Sequence, residues 1–307
     1  MSRPQFNYGG QALLEGVMMR GSTHMAAAVR KPDGEIELYA EPLDSPLYNG
    51  WLSKVPFVRG LGLLWDSLGL GLKALFWSAN LQLPEDSEER IEGGAVAGTV
   101  ATSFTIAIGL FFLLPAGAAS GIESLFGVDS AVIGNLIEGV IRLALVIGYV
   151  AATGLIPDVR RLYAYHGAEH KTINAYEAGA ALDPESVDRF PVTHPRCGTG
   201  FLLIVVLLTI LIGVLLGDLA LLPRLASRVL LIPIVAGIAY EYIKLLARHM
   251  DSPIVRILVW PQLAMQRLTT REPTADMLAV AIVALERVLA AEGLPATTQE
   301  PEPVLRS

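Results

Sequence analysis

Four long apolar stretches dominate the chain: Gly94 to Ala116, Ala131 to Thr153, Gly200 to Gly217 and Val229 to Leu246. Each approaches the roughly 20 residues that a helix needs to cross about 30 Å of hydrocarbon. A chain that buries such segments in lipid must satisfy its backbone amides inside each helix, which excludes most other folds. Composition agrees, since 52% of the 307 residues are hydrophobic and 17% are charged. The expected class is a mainly α-helical polytopic membrane protein, with about four transmembrane helices plus an interfacial helix. A small cytoplasmic α/β part containing a β-hairpin completes it.

Charge sets the expected topology. Arg59, Lys73 and Arg90 precede the first stretch, and Arg160, Arg161, Lys171, Arg189 and Arg196 lie between the second and third. Lys244, Arg248 and Arg256 follow the fourth, whereas Gly117 to Ser130 has no Lys or Arg and Asp218 to Ser227 has only Arg224. The positive-inside rule then puts both termini and the connection 158–199 in the cytoplasm, and the two short connections outside a multi-pass cell membrane protein. The first eight residues lack the apolar region of a secretory signal, so insertion is expected from internal segments. A net charge of -7 gives no general attraction to nucleic acid, which is not an expected partner. The single cysteine, Cys197, excludes an intramolecular disulfide.

Around the spans the expected units are 1–54, a glycine-rich N-terminal part; 55–92, an amphipathic interfacial helix with an acidic linker; 93–250, the four-span domain; 251–293, C-terminal cytoplasmic helices; and 294–307, a disordered tail. Met25 to Arg30 and Glu35 to Ala40 flank Lys31-Pro32-Asp33-Gly34, the signature of a turn between two short strands. Thr274 is an expected N-cap and Gly293 an expected terminator for a helix over 274–291. Inside the spans, Glu138 and Arg142 are spaced to pair on one helix face, and Glu241 is a carboxylate near a helix end.

Chemistry concentrates in Tyr165 to Glu177. On a helix, His166 and His170 lie one turn apart, Glu177 falls near the same line, and Glu169 sits beside it. His194-Pro195-Arg196-Cys197 adds a ligand-x-x-ligand spacing, and imidazole with thiolate suits Zn²⁺ or another divalent metal. His166-x-x-Glu169-His170 also has the HxxEH order in which a glutamate acts as base beside two zinc-binding histidines. Metal ligands His166, His170, His194 and Cys197 with Glu169 as catalytic base are one reading. The plainer one has His166, His170, Lys171 and Arg196 meeting lipid phosphates, His194 capping a helix and Cys197 buried as a small apolar residue. Glu15, Arg20 and His24 are further candidates, against a surface ion pair and a solvated histidine. No phosphate-binding glycine loop, dinucleotide fingerprint or nucleophile elbow is present.

Three stretches, GGQALLEGVMMRG at 9–21, YHGAEHKTINAYEAG at 165–179 and HPRCGTGF at 194–201, together resemble the YqhQ-like family of bacterial membrane proteins, domain of unknown function 1385. Residues 236–244 and 266–273 agree, so the likeness spans nearly all but the tail. The resemblance implies that His166, Glu169, His170, His194, Cys197, Glu15, Arg20 and Glu241 belong to family motifs. It also carries the family's description as a metal-dependent enzyme, made on its His-rich motif. Three functions follow as expectations: a metal-dependent hydrolase acting on a membrane-associated substrate; a non-enzymatic scaffold or assembly factor with a cytoplasmic docking surface; and a transporter using Glu138, Arg142 and Glu241. The expected partners are the lipid bilayer, a protein within the membrane, and further copies of the chain in a homo-oligomer.

Overall fold

The computed structural model describes residues 8–43, 55, 58–84, 87, 90–217, 219–250 and 252–296. Glu85, Asp86, Glu88 and Glu89 of the expected linker, and the expected tail from 297 onward, lie outside the described residues.

Near the N-terminus the chain forms a four-stranded antiparallel sheet in sequence order: β1 (Gly9–Leu13), β2 (Gly16–Arg20), β3 (His24–Arg30) and β4 (Ile36–Pro42). The expected hairpin is β3–β4, closed where Arg30 pairs with Ile36. Asp33 helps close it by accepting from the Glu35 amide at 2.9 Å. The sheet adds a second hairpin, β1–β2, in which Leu13 faces Gly16 across Leu14-Glu15. Glu15 takes φ 54 there, a left-handed conformation that a non-glycine residue holds only when its surroundings fix it. Arg161 supplies that hold by gripping the Glu15 carboxylate with two donors, one at 2.6 Å, while the Tyr165 hydroxyl donates to it at 3.2 Å.

Both faces of the sheet are covered. Side chains alternate along a strand, so Leu13, Met18, Met25, Ala27 and Val29 pack on one side with Ala74 of α1 (Val58–Leu81). Val17, Met19, Ala26 and Ala28 pack on the other with two helices, α4 (Pro157–Glu177) and α10 (Ala275–Ala291). That double burial explains why β3 reads as an unbroken apolar run. It also places α1 differently from a helix lying wholly on the membrane. Its second half covers protein, while Trp65 and Leu68 in its first half stay exposed.

The Thr274 cap forms as expected, its hydroxyl accepting from the Met277 amide at 3.4 Å. Thr274→Ala should therefore cost about 1 kcal/mol, visible as a modest drop in the thermal midpoint of the detergent-solubilised protein. In α4, Gly167 looks like a weak point for a helix, yet the extended backbone at Thr270 and Arg271 crosses it. The Arg271 amide donates to the Tyr163 carbonyl at 2.9 Å, and a Cβ at 167 would overlap the Arg271 carbonyl oxygen. Gly167→Ala should push that backbone away and destabilise by about 1–3 kcal/mol, despite alanine's better helix propensity. Thermal unfolding decides between the two signs.

Among the described residues, three helices are long and apolar enough to cross a membrane: α2 (Gly94–Phe126), α3 (Ala131–Thr153) and α6 (Gly198–Leu216). A bent pair, α7 (Leu221–Leu230) and α8 (Ile232–Arg248), makes a fourth if it counts as one span. Two expectations are corrected here. The first span does not stop at Ala116 but runs 33 residues, with a π-helical turn at Gly109–Leu113. The fourth is broken by 47° at Leu231. Pro233 lies just past the break, where it removes an amide and crowds the carbonyl four residues back. Part of the short connection 218–227 is α7 itself, with Arg224 and Arg228 buried. Both reach the Glu138–Arg142 pair, which forms as expected at 2.6 Å. The short helix α5 (Pro184–Asp188) lies beside α4, and after α8 the helix α9 (Pro253–Thr269) packs its second half on α6 while Ile254, Ile257 and Trp260 of its first half are exposed.

Candidate metal centre

His166 and His170 emerge from consecutive turns of α4 with their ring centroids 4.3 Å apart. Cys197 sits at the N-cap of α6 and meets them from the other side, its Sγ 3.2 Å from His166 Nε2. One ligand atom from each of His166, His170 and Cys197 lies within 4.8 Å of the others. Ligands on one tetrahedral zinc lie roughly 3.5 Å apart, so the group stands near ligand spacing.

The backbone orients both rings. His166 Nδ1 is 2.9 Å from the Thr269 carbonyl, and His170 Nδ1 is 2.7 Å from the Val192 carbonyl. A carbonyl can only accept, so each Nδ1 carries the proton and each Nε2 presents its lone pair inward. That is the outer-shell arrangement of metal-binding histidines. His170 Nε2 is buried and has no hydrogen-bond partner among the described residues. An unmet lone pair beside an imidazole and a thiol is what a soft divalent cation satisfies. The residues present fit the metal.

His194 stands apart from this group of three. Gln266 clamps its backbone, accepting from the amide at 2.8 Å and donating to the carbonyl at 2.9 Å. Its ring lies 5.9 Å from that of His170, and its Nε2 is 3.6 Å from Glu177. Burial holds the His194 imidazole below the usual histidine range, against the pull of Glu177. Glu177 answers to His194 and Arg196 rather than to the cluster. Burial alone would raise its carboxyl, but those two partners hold it low.

Glu169 faces the sheet. A Cβ on Gly10 of β1 would stand 3.0 Å from its carboxyl, so only glycine lets the strand pass this closely. Burial pushes Glu169 up to about 7, with His166 and the Gly10 amide opposing the rise. Its Oε2 is buried with no partner among the described residues. Glu15 ties β1–β2 to α4 through Arg161 and Tyr165, and Arg20 donates to Ser67 of α1. His24 contacts its neighbour Thr23 at 3.0 Å, and Glu241 lies three residues from Lys244 on α8. Glu15 and Arg20 tie elements together, and none of the four belongs to the His/Cys group. The site also uses Gln266 and the Thr269 and Val192 carbonyls, to which sequence reasoning gave no role, together with Gly10 of the glycine-rich N-terminal part. Backbone acceptors leave no mark in a sequence, and only the glycine carried a local signal.

A sequence profile described as "Protein of unknown function (DUF1385)" matches residues 55–291. The chain is also similar to the "Uncharacterized protein YqhQ" of Bacillus subtilis (strain 168), 33% identical over 308 residues that cover 96% of each protein. No solved structure matches it. Neither description assigns an activity or a ligand.

Proposed function

Because the chain belongs to the DUF1385 family, whose description assigns no activity, we propose from its own geometry that it is an integral membrane protein with a divalent-metal centre, zinc first, at His166, His170 and Cys197, and that it hydrolyses a membrane-associated substrate there. The observation that carries this reading is the inward convergence of two carbonyl-oriented Nε2 atoms and a thiol, one Nε2 being buried and unmet. The Lys and Arg distribution assigns this face to the cytoplasm.

Three protein ligands leave a position open, as in catalytic rather than closed structural sites. The ion would supply Lewis acidity, polarising a carbonyl or phosphoryl oxygen. Glu169, next to a ligand and with one oxygen free, is the group to take a proton from attacking water. Exposed Ile254, Ile257 and Trp260 on α9 give the same layer an apolar, aromatic contact suited to the bilayer interface, which favours a substrate drawn from the membrane. Glu169→Gln should keep the metal and the thermal midpoint but abolish complementation of a strain lacking the protein. Full complementation would sink the hydrolase.

A second reading has its own support. The three ligands come from two elements, α4 and the N-cap of α6, and α4 and α10 close over the sheet as one packed layer. An ion there would pin that layer as a docking surface for a membrane-protein partner. Crosslinking followed by co-purification of one partner, with full function in Glu169→Gln, is the outcome that selects the scaffold.

A further inference from the structure

At the far end of α6 from Cys197, a second polar site is built into the spans. α6 has 19 residues and is thus about 28 Å long. A cavity of about 310 Å³ opens beyond its C-terminal end, lined by Glu123, Asp129, Ser130, Asn135, Arg224 and Arg228 among others. It lies where the start of α3 meets the broken helix α7.

Its floor is a buried ion network. Glu138 accepts from Arg142 at 2.6 Å, from Arg224 at 2.9 Å and from Arg228 at 2.6 and 2.8 Å. Arg224 also holds Glu123 at 2.8 Å, and Arg228 donates to Asn135 at 2.7 Å. Arg142 turns its Nε to the Phe111 carbonyl at 2.8 Å, in the π-helical turn of α2. Three arginines against two carboxylates leave this network one positive charge in excess. Asp129, on the cavity wall, is the acidic lining group outside it.

Charges at this depth in a span are costly, and a discontinuous helix that carries them inward is the usual construction of a polar-ligand site in a membrane protein. A structural ion network would need neither an open cavity nor an excess charge. We propose that the cavity binds a compact zwitterion, its acidic group seated on Arg224 and Arg228 and its ammonium group on Asp129. The volume suits a group of phosphoethanolamine size, at the lower end of small-ligand pockets, about 300 Å³. Free phosphoethanolamine and the headgroup of phosphatidylethanolamine share this chemistry. The site is independent of the metal centre and stands or falls without it.

The test uses the full chain in nanodiscs. In phosphatidylcholine discs, calorimetry measures phosphoethanolamine, inorganic phosphate and ethanolamine. In parallel, native mass spectrometry compares retained phosphatidylethanolamine with phosphatidylglycerol. Phosphoethanolamine should bind roughly tenfold or more tightly than either one-charge probe if the source is soluble. Selective retention of phosphatidylethanolamine without binding of the free compound identifies the headgroup instead. Asp129→Asn, a change on the cavity wall outside the ion network, should erase the preference for the zwitterion while leaving phosphate binding in place. The proposal is overturned if neither arm shows a zwitterion preference, or if Asp129→Asn leaves that preference intact.

Discussion

Purified protein should carry about one divalent ion per chain, zinc before others, and should lose it in His170→Ala and in Cys197→Ala. Both imidazoles already have their Nδ1 atoms committed to carbonyls, so little rearrangement opposes binding. Because the ion would join α4 to the N-terminus of α6, stripping it with a chelator should lower the thermal midpoint. Occupancy at a thousand times the dissociation constant contributes about 4 kcal/mol. His194→Ala separates this geometry from a four-ligand site, since its ring faces Glu177 and the variant should retain the ion. Cobalt-loaded protein should show thiolate-to-metal absorption that Cys197→Ser removes. Elemental analysis that finds no stoichiometric metal in the wild type would falsify the centre outright.

The sequence showed most clearly what is decided locally. Helical spacing placed His166 and His170 on one face of α4, Thr274 marked the start of α10, and Pro-Asp-Gly marked the β3–β4 turn. Apolar length alone marked the long helices, though not the break at Leu231. The β1–β2 turn was not, because Leu14-Glu15 is no turn-forming pair and its shape depends on Arg161, distant in sequence by 146 residues. Gly167 read as a fault in a helix until the Arg271 backbone was seen to cross it. The role of His194 was legible only in part. Its spacing to Cys197 was suggestive, but Gln266, 72 residues away, sets where its backbone lies. Arg224 counted only as the one charge of a short connection and Arg228 was not singled out, and their partner Glu138 is 86 and 90 residues away. Long-range ion pairs override local polarity, and a single sequence contains no term for them.

Glu138→Ala should be the most destabilising single change in the membrane part. One carboxylate, 1% exposed, accepts from three guanidinium groups on α3 and α7. Its removal leaves those cations buried with Glu123 as their remaining carboxylate partner, raising the network's excess from one positive charge to two. Breaking a buried ion pair costs about 3–5 kcal/mol, because it leaves the partner charges uncompensated. Loss of the protein from membranes, or a collapsed thermal midpoint after solubilisation, is the expected readout. Glu138→Leu combined with Arg142→Leu removes one charge of each sign and restores the original excess, so it should recover part of the loss. The exposed pair Arg189–Glu185, 3.1 Å apart, is the control. Glu185→Ala should shift stability by no more than about 0.5 kcal/mol. If Glu138→Ala behaved like that control, the bend at Leu231 would have to be held by apolar packing alone, and Arg224 and Arg228 would be passengers on α7 rather than its anchor.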